Sequence, residues 1–359
     1  MSLLVDIVTR NSDFLYSSQL DEDQFKALNC MRICRTAEAQ GALYSCDKCE
    51  SFKFVPHSCG HRFCPHCQNY KTTLWLHRQK SRLLQCDYFM ITFTLPSEFR
   101  KVSRKDRRAF YNAFFDCTSA AIKELAQDRL KGSPGMVGVL HTNGRSLNSH
   151  PHVHYIVPAI VLNKDESTLK KVSAKFFLQQ QVLANLFRGK FLSKLKELEI
   201  PFPGYLYGRK WQAHCELKGN GENVLEYLSR YLIKGVVSPK ALSEVNGEIN
   251  LRYKDSQTAK MTNIQFDDET FLKRLVQHVL PKGLRRVREY GFLAPAGKKM
   301  LQKLQLLLQV KVPEEPPPEP PKVTCPFCKG KMRMLIHKIP QKLFKEKIEP
   351  FIKARSSPN

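Results

Sequence analysis

The sequence contains no long apolar run. Its longest apolar stretch lies within Tyr88–Leu95 and is interrupted by Thr92 and Thr94, far short of the roughly 18 residues that a membrane helix needs. A membrane-spanning protein is therefore excluded. The first ten residues include Asp6 and lack an apolar segment followed by small residues. No secretory signal is recognised there, and we expect a cytoplasmic protein.

Acidic residues are scarce compared with basic ones. The chain has 33 Asp and Glu against 58 Lys and Arg, which gives a formal net charge of +25 in 359 residues. An excess of this size favours a polyanion partner, above all nucleic acid. Solubility alone requires only a few charges. The basic residues are also not confined to one amphipathic helix or one tail, as in a protein that lies on a membrane surface.

The 12 cysteines are expected to be thiols or metal ligands, because disulfides are rare in the cytoplasm. Cys46 with Cys49, and Cys64 with Cys67, form two pairs of the C-x2-C type. Four thiolates on two tight turns can close the tetrahedral shell of a structural Zn²⁺ ion. The alternative is a group of reduced, buried cysteines. Further candidate ligands in this stretch would either complete a second zinc site or surround the first: Cys30, Cys34, His57, Cys59, His61 and His66.

Composition divides the chain into four parts. A third C-x2-C pair, Cys325 and Cys328, lies in residues 324–359, the last of these parts, and supplies only two ligands. This pair therefore either joins a distant pair or brackets a turn. The four parts are a zinc-binding, DNA-contacting domain at 1–80, a larger domain at 81–310, a proline-rich linker at 311–323 and a basic tail at 324–359.

The larger domain mixes segments typical of strands with segments typical of helices. Residues 88–95 are aromatic and β-branched, as in a buried strand. Further strands are predicted at 136–141, 150–157 and 210–217, and a helix is predicted at 109–130. Consecutive strands mixed with helices predict an α+β domain built on a largely antiparallel sheet.

Three histidines alternate along one of these strands. Because successive side chains of a strand point to opposite faces, His150, His152 and His154 lie in a row on one face. Neighbouring imidazoles with one further ligand would suit Mg²⁺ or Mn²⁺ acting as a Lewis acid on a phosphodiester. Because imidazole is a softer donor than the oxygen ligands usual for Mg²⁺, Mn²⁺ is favoured.

Two tyrosines lie one helical turn apart in the segment 224–234. Tyr227 and Tyr231 flank an apolar stripe, a position usually filled by aromatic residues at the edge of a core. Beside a metal-binding histidine row they gain a second interpretation. A tyrosine hydroxyl can attack phosphorus and conserve the bond energy in a phosphotyrosine ester, which allows rejoining.

Basic residues cluster at two places near these features. Those within 100–105 either hold a phosphate backbone or form a solvated helix entrance. Those near the two tyrosines extend the polar flank of the same helix. The predicted DNA-binding residues are Arg100, Lys101, Arg104, Lys105, Arg230 and Lys234.

Taken together, the motifs resemble those of a known family. The sequence is similar to the HUH single-strand nucleases with two tyrosines, and specifically to the rolling-circle insertion-sequence transposases of bacteria. The matching motifs follow one another in the same order along most of the chain. They are Cys34–Thr36, the cysteine pairs from Cys46 to Cys67, Phe93–Pro96, Val139–Thr142, His150–His154, Tyr227–Tyr231, His278–Gly283 and Tyr290–Leu293.

The resemblance implies an α+β fold. It consists of an HUH-type nuclease core with a central antiparallel sheet and flanking helices, preceded by a small Cys-rich zinc-binding domain. Tyr227 and Tyr231 would be the nucleophiles. His152 and His154 would bind the catalytic Mg²⁺ or Mn²⁺, with His150 as an additional candidate. The candidates for a third ligand are His141, His150, His214, Asn223 and Glu226.

The resemblance also implies an activity and its partners. A transposase of this kind binds folded single-stranded DNA at the ends of its element and cleaves beside a short motif. It keeps the 5′ end on a tyrosine and frees a 3′ hydroxyl for transfer to target DNA. Host replication machinery would take part, and the protein would work at the bacterial nucleoid. The zinc-binding domain would bind DNA through backbone contacts and stacking, with Trp75 or nearby aromatic residues as platforms.

Two other functions remain open from the sequence. The same chemistry could serve a plasmid or phage replication initiator, or a conjugative relaxase. A third class is a zinc-containing nucleic-acid-binding protein without catalysis, in which the histidine row and the tyrosine pair are coincidental.

Overall fold

A computed structural model of the chain describes residues 3–16, 20–36, 38–65, 67, 69–101, 106–163, 168–172, 178–220, 223, 225, 236–255, 258–311, 315–350 and 352. The described residues form a mixed α+β protein, and every strand pair is antiparallel. The predicted fold class is thereby confirmed. Within these ranges no helix is both long enough and apolar enough to cross a membrane.

The helices and strands are numbered in chain order. The helices are α1 (Leu3–Arg10), α2 (Ser12–Leu15), α3 (Glu22–Ile33), α4 (Asn69–Lys80), α5 (Arg107–Leu130), α6 (Gln180–Glu197), α7 (Asp268–Val276), α8 (Lys298–Leu307) and α9 (Gln341–Leu343). The strands are β1 (Gln40–Cys46), β2 (Phe52–Pro56), β3 (Asp87–Thr94), β4 (Ser133–Pro134), β5 (Met136–Asn143), β6 (Ser149–Pro158), β7 (Ile160–Leu162), β8 (Leu169–Lys171), β9 (Gln212–Asn220), β10 (Leu242–Val245), β11 (Glu248–Lys254), β12 (Met261–Phe266), β13 (Val287–Tyr290) and β14 (Met332–Pro340).

A five-stranded sheet in the order β13-β5-β6-β3-β9 forms the centre of the larger domain. Its middle strands are rich in aromatic and β-branched residues, which favour the extended backbone and pack well on a pleated surface. The strands predicted at 88–95, 136–141, 150–157 and 210–217 are all present, with ends shifted by up to three residues. The sheet places the histidine row of β6 between β5 and β3.

One face of this sheet packs on α5 and α6. The contact is strongly aromatic: the Phe187 ring centroid lies 5.2 Å from Phe93 and 5.2 Å from Trp211, and Phe114 lies 5.5 Å from Phe187. Tyr155 of β6 also points to this face, where its hydroxyl lies 2.8 Å from the Thr118 hydroxyl. A large apolar core therefore fixes β6 from the face opposite the histidines.

The histidine-bearing face has a smaller apolar cover. Tyr88, Val139 and Ile156 of three neighbouring strands are buried there and pack with Leu225, while Trp75 of α4 is partly buried beside them. Alternation along β6 places Ile156 on the same face as His152 and His154. Leu225 therefore brings the start of the 223–235 segment onto the face that carries the histidines.

A second core joins the N-terminal helices to residues 236–276. Leu4, Ile7 and Leu28 of α1 and α3 are buried together with residues of β11, β12 and α7. A capping box begins α3: the Asp21 carboxylate accepts the Gln24 N–H, and the Gln24 side chain accepts the Asp21 N–H. This reciprocal pair satisfies two backbone donors at the helix start.

The two ends of the chain meet in a three-stranded sheet of order β14-β1-β2. We call this sheet, together with the turns that carry Cys46 and Cys49 and Cys325 and Cys328, the ribbon (residues 40–56 and 324–340). The proline-rich linker reaches it along α4, where the Tyr70 hydroxyl donates to the Pro318 carbonyl at 3.1 Å. The segment 324–359, predicted as a basic tail, thus contributes β14 to a sheet with the N-terminal β1.

Candidate functional site

Strand pairing brings a third histidine to the two predicted metal ligands. His152 lies directly opposite His141 of β5, and His154 lies opposite Val139 on one side and Thr92 of β3 on the other. Because alternate residues of a strand share a face, His141, His152 and His154 project together. Their ligand nitrogens all lie within 4.8 Å of one another. The sheet therefore builds a three-imidazole cluster, called the histidine cluster below.

Hydrogen bonds orient two of these rings. The Nδ1 atom of His152 lies 2.7 Å from the His150 carbonyl. Since a carbonyl only accepts, this Nδ1 carries the proton and Nε2 keeps its lone pair. The Nδ1 atom of His154 is 2.8 Å from the Thr92 hydroxyl. Partners of this kind on Nδ1 are typical of metal-binding histidines, whose other nitrogen is the ligand.

Burial keeps the cluster uncharged. His141 and His154 are only 4% and 7% exposed. Desolvation, the largest cause, lowers the pKa of His152 to about 4 and that of His154 to about 3, and it also lowers the pKa of His141. A buried imidazolium would have to leave water without a compensating charge. All three rings are therefore neutral near pH 7, which is the form that binds a metal ion.

The structure separates the candidates for the third metal ligand. His141 joins the cluster, whereas His150 does not and instead provides the carbonyl that orients His152. His214 lies on β9 opposite Thr92 and is not grouped with the cluster, and Asn223 is exposed. Glu226 lies outside the described residues. Among the described candidates, the donor set therefore favours His141.

Both predicted nucleophiles lie outside the described residues. They are Tyr227 and Tyr231. Arg230 and Lys234 of the same segment also lie outside the described residues. Leu225, two residues before Tyr227 in the sequence, is described and only 5% exposed. It packs with Ile156 on the histidine-bearing face of the central sheet.

The predicted zinc ligands form two clusters instead of one. The prediction that the pairs Cys46/Cys49 and Cys64/Cys67 share one shell is wrong. Each of these pairs joins other cysteines, because β2 lies between the two pairs along the chain and the fold brings new partners to each. The first cluster is Cys34, Cys59, Cys64 and Cys67, and the second is Cys46, Cys49, Cys325 and Cys328.

The donor set of the first cluster fits a structural zinc ion. The Sγ atoms of Cys34 and Cys67 are 3.3 Å apart, and those of Cys59 and Cys67 are 3.5 Å apart. Tetrahedral zinc with Zn–S bonds near 2.3 Å requires sulfurs about 3.8 Å apart. Cys34 and Cys59 were additional candidates, and both are present. His61, the other additional candidate, is not in the cluster, and its Nδ1 accepts the Phe63 N–H at 3.2 Å.

The predicted DNA-binding residues are described only in part. Arg100 is exposed in the 3-10 helix Ser97–Lys101. The Lys101 side chain, Arg104 and Lys105 lie outside the described residues. The contribution of this basic segment to DNA binding stays a prediction.

Sequence reasoning missed a basic cavity between the zinc-binding region and the central sheet. The cavity has a volume of about 300 Å³, and its lining includes Arg62, Lys71, Arg78 and Arg286. No carboxylate occurs among the described residues that line it. Burial lowers the pKa of Arg286 to about 10, so this guanidinium stays charged at neutral pH. The signal in the sequence was indirect, since Arg286 lies between two of the motifs that carry the family resemblance.

Comparison with known proteins agrees with both parts of the site. The model of a family described as "Transposase zinc-binding domain" matches residues 7–95, and the model of a family described as "Putative transposase" matches residues 135–300. The first match contains the cysteine pairs of the N-terminal region. The second contains the histidine cluster and the two predicted tyrosines.

Two curated bacterial relatives match most of the chain. One is the "Putative transposase y4qJ" of Sinorhizobium fredii, 29% identical over 333 residues, which are 85% of this chain and 83% of the relative. The other is the "Transposase for insertion sequence element IS801" of Pseudomonas savastanoi pv. phaseolicola, 29% identical over 302 residues, which are 77% of this chain and 71% of the relative. No solved structure matches the chain. The resemblance inferred from the sequence is thereby confirmed.

Proposed function

We propose that this chain, an insertion-sequence transposase with an N-terminal zinc-binding domain, cleaves and rejoins single-stranded DNA through a 5′-phosphotyrosine link. Such chemistry would drive rolling-circle transposition of its element. The histidine cluster is the observation that carries the proposal. It combines three neutral imidazoles on adjacent strands with a hydrogen bond on Nδ1 of His152 that leaves Nε2 as its free donor atom.

The cluster fits a divalent cation. His141, His152 and His154 would hold it, and the positions they leave open would take water and substrate oxygens. When bound, Mg²⁺ or Mn²⁺ supplies Lewis-acid polarisation of a phosphodiester oxygen. The protein itself fixes the three imidazoles through the register of β5, β6 and β3 and holds them neutral by burial.

The tyrosines would perform the transfer. The phenol of Tyr227 or Tyr231 gives up its proton and its oxygen attacks phosphorus. The bond from phosphorus to the 3′ oxygen breaks, and that oxygen takes up a proton to become a free 3′ hydroxyl. The 5′ phosphate stays on the tyrosine. Attack by a 3′ hydroxyl of another strand reverses these steps and reseals the DNA. Support for this assignment comes from Leu225, which packs on the histidine-bearing face just before Tyr227 in the sequence.

Binding of the DNA would use the charge of the chain. The net charge of +25 attracts a single strand from solution. Arg62 also has a structural part, because its guanidinium donates to the carbonyls of Leu280 and Leu284 at 2.6 Å. Lys71 and Arg286 also donate to backbone carbonyls, those of Gly60 at 3.3 Å and Leu140 at 3.2 Å. Arg78 is therefore the side chain of the cavity that we assign to a backbone phosphate.

The test is covalent trapping. The purified full chain is mixed with labelled single-stranded DNA from the flanks of its own gene, with Mn²⁺ or with chelator, and run on a denaturing gel. We expect a protein-linked DNA band only with Mn²⁺. It should disappear in the double variant Y227F/Y231F and in H152A and H141A, and it should persist in the control Tyr207→Phe, which changes an exposed tyrosine. A band that survives in Y227F/Y231F would refute the tyrosine assignment.

A further inference from the structure

Four cysteines from opposite ends of the sequence meet in the ribbon. The Sγ atoms of Cys46 and Cys328 are 3.4 Å apart, and those of Cys49 and Cys325 are 3.6 Å apart. All four sulfurs lie within 4.8 Å of one another. These distances are too long for disulfides, whose S–S bond is about 2.05 Å. They are near the separation of about 3.8 Å that tetrahedral zinc imposes on its sulfurs.

The two cysteine pairs of the ribbon have the same local backbone. In the first, the Cys46 N–H donates to the Ser51 carbonyl at 2.8 Å and the Glu50 N–H donates to the Cys46 carbonyl at 3.0 Å. In the second, the Cys325 N–H donates to the Gly330 carbonyl at 2.9 Å and the Lys329 N–H donates to the Cys325 carbonyl at 3.2 Å.

The agreement extends to the backbone angles. The residue after each second cysteine has a positive φ, 56° at Glu50 and 59° at Lys329. This left-handed conformation is uncommon for residues other than glycine. Two separate turns therefore adopt the same unusual shape, and each presents two thiols to the other, as the paired turns of zinc ribbons do.

Little apolar packing surrounds this cluster. The buried side chains around it are Cys46, Cys325 and Met332. Cys46 and Cys325 are 1% and 0% exposed, whereas Cys49 and Cys328 are exposed at the rim. A core of three residues contributes too little to hold two turns together. A structural metal is the usual means of stabilising a module of this size.

We propose that Cys46, Cys49, Cys325 and Cys328 bind a second structural zinc ion, which fastens the C-terminal segment of the chain to the N-terminal zinc-binding region. The two pairs are 276 or more residues apart in sequence. The ion closes the chain into a ring that runs through the whole transposase domain and returns along α4. β14 is then a part of the zinc-binding region rather than a separate tail.

The proposed ion is independent of the first cluster. Cys34, Cys59, Cys64 and Cys67 lie within residues 34–67, and their cluster shares no ligand with the one in the ribbon. Loss of one ion should therefore leave the other in place. The proposal also does not depend on tyrosine chemistry, because both sites are structural.

The first experiment counts zinc in the full-length protein by native mass spectrometry, with H141A and H152A present in the wild-type background and in every variant so that the histidine cluster takes no ion. We expect two ions in the wild type and one in C49S/C328S, whose substituted positions are exposed and so disturb no packing. C59S/C67S should also retain one ion, and the control Cys215→Ser on β9 should retain two. Two ions in C49S/C328S, or a single ion in the wild type, would overturn the proposal.

A second measurement separates loss of metal from general unfolding. In hydrogen exchange we expect the amides of β14 to exchange about tenfold or more faster in C49S/C328S than in the wild type. The amides of β3 and β6 should keep their wild-type rates. Unchanged protection of β14 in a variant that has lost one ion would show that the ion does not fasten this segment. Faster exchange in every strand would mean that the variant is unfolded. Co²⁺ spectra of the wild-type protein would then show how many sites with four thiolates it contains. Two sites with four thiolates each support the proposal, and one such site refutes it.

Discussion

The central sheet and the ribbon both present metal-ligating side chains, but they hold them in opposite ways. The histidine cluster lies on strands that pack through Phe187, Phe191 and their neighbours on α5 and α6, in the largest apolar core among the described residues. The ribbon has only small clusters, such as Leu43 with Ile339 and Phe344. The apolar core therefore holds the strands that carry the histidines, whereas the ribbon would take much of its stability from the zinc ion proposed for it.

Removal of zinc should produce the largest difference between the ribbon and the central sheet. With chelator, we expect β1, β2 and β14 to lose protection from hydrogen exchange, while β3, β5 and β6 stay protected. The effect is large because structural zinc contributes on the order of 10 kcal/mol or more to the folding of small zinc modules.

Reloading provides the control for this experiment. Added Zn²⁺ should restore protection of the ribbon, and Mg²⁺ should not, because thiolates prefer the softer ion. Simultaneous loss of protection in the central sheet would show that the two regions are not independent.

The core of the central sheet should give the next largest effect. Phe187 is fully buried against Phe93, Phe191 and Trp211. Phe187→Ala leaves a cavity and should lower the free energy of unfolding by about 3–5 kcal/mol, measured by urea denaturation. The zinc count should not change, since this residue belongs to a different apolar core from both cysteine clusters.

An exposed aromatic residue of the ribbon serves as the matched control. Phe327 is 76% exposed, so Phe327→Ala should change stability by less than about 0.5 kcal/mol. An equal cost at both positions would contradict the view that the two regions differ in how much packing holds them.

A smaller effect is expected from the hydroxyl that orients His154. Thr92→Val keeps the shape of the side chain and removes its hydrogen bond to Nδ1. Loss of such a partner typically lowers metal affinity about 10–100-fold. We expect this loss in a titration with Mn²⁺, with a parallel decrease in the rate of DNA-adduct formation.

The neighbouring threonine of the same strand is the control. Thr94→Val makes the same change two residues along β3, opposite His152, whose Nδ1 is already bonded to the His150 carbonyl. Its Mn²⁺ affinity should stay near the wild-type value. Equal losses in both variants would indicate a general disturbance of β3 instead of a specific role for Thr92.

The smallest effect should come from a helix cap outside both regions. Asp21→Ala removes the capping box of α3 and should cost about 1 kcal/mol of stability, measured by thermal denaturation. Asp13→Ala in α2 removes an exposed carboxylate without a capping bond and should be nearly neutral. A cost from Asp21→Ala as large as that of Phe187→Ala would mean that the N-terminal helices unfold together with the central core.

Local patterns predicted much of the fold and part of the site. Alternation along 150–157 predicted that His152 and His154 lie on one face, and the strand pairing in the structure agrees. In a strand, successive side chains point to opposite faces, so every second residue shares a face. The aromatic segment at 88–95 proved to be the strand beside it. The third imidazole was not predicted uniquely. His141 was one of five candidates, and only the register of β5 against β6 distinguishes it from the others.

Cysteine partners were the main error. Two C-x2-C pairs close together in the sequence favour a shared ion, yet Cys46 and Cys49 find their partners about 280 residues away. Spacing cannot show this, since the cost of closing a loop grows only slowly with its length. The basic cavity around Arg286 was missed for a related reason, because its lining comes from four separate segments of the chain.

The sequence by itself determined the chemistry that the chain can carry: a basic protein with thiols suited to zinc, a histidine row on a strand and two tyrosines four positions apart. These properties depend on residue type and on neighbours within a few positions. The tertiary structure decided which cysteines lie together, that β14 pairs with β1, and that burial keeps the three imidazoles neutral. Those outcomes depend on strand register and on desolvation, which arise only when distant segments of the chain pack together.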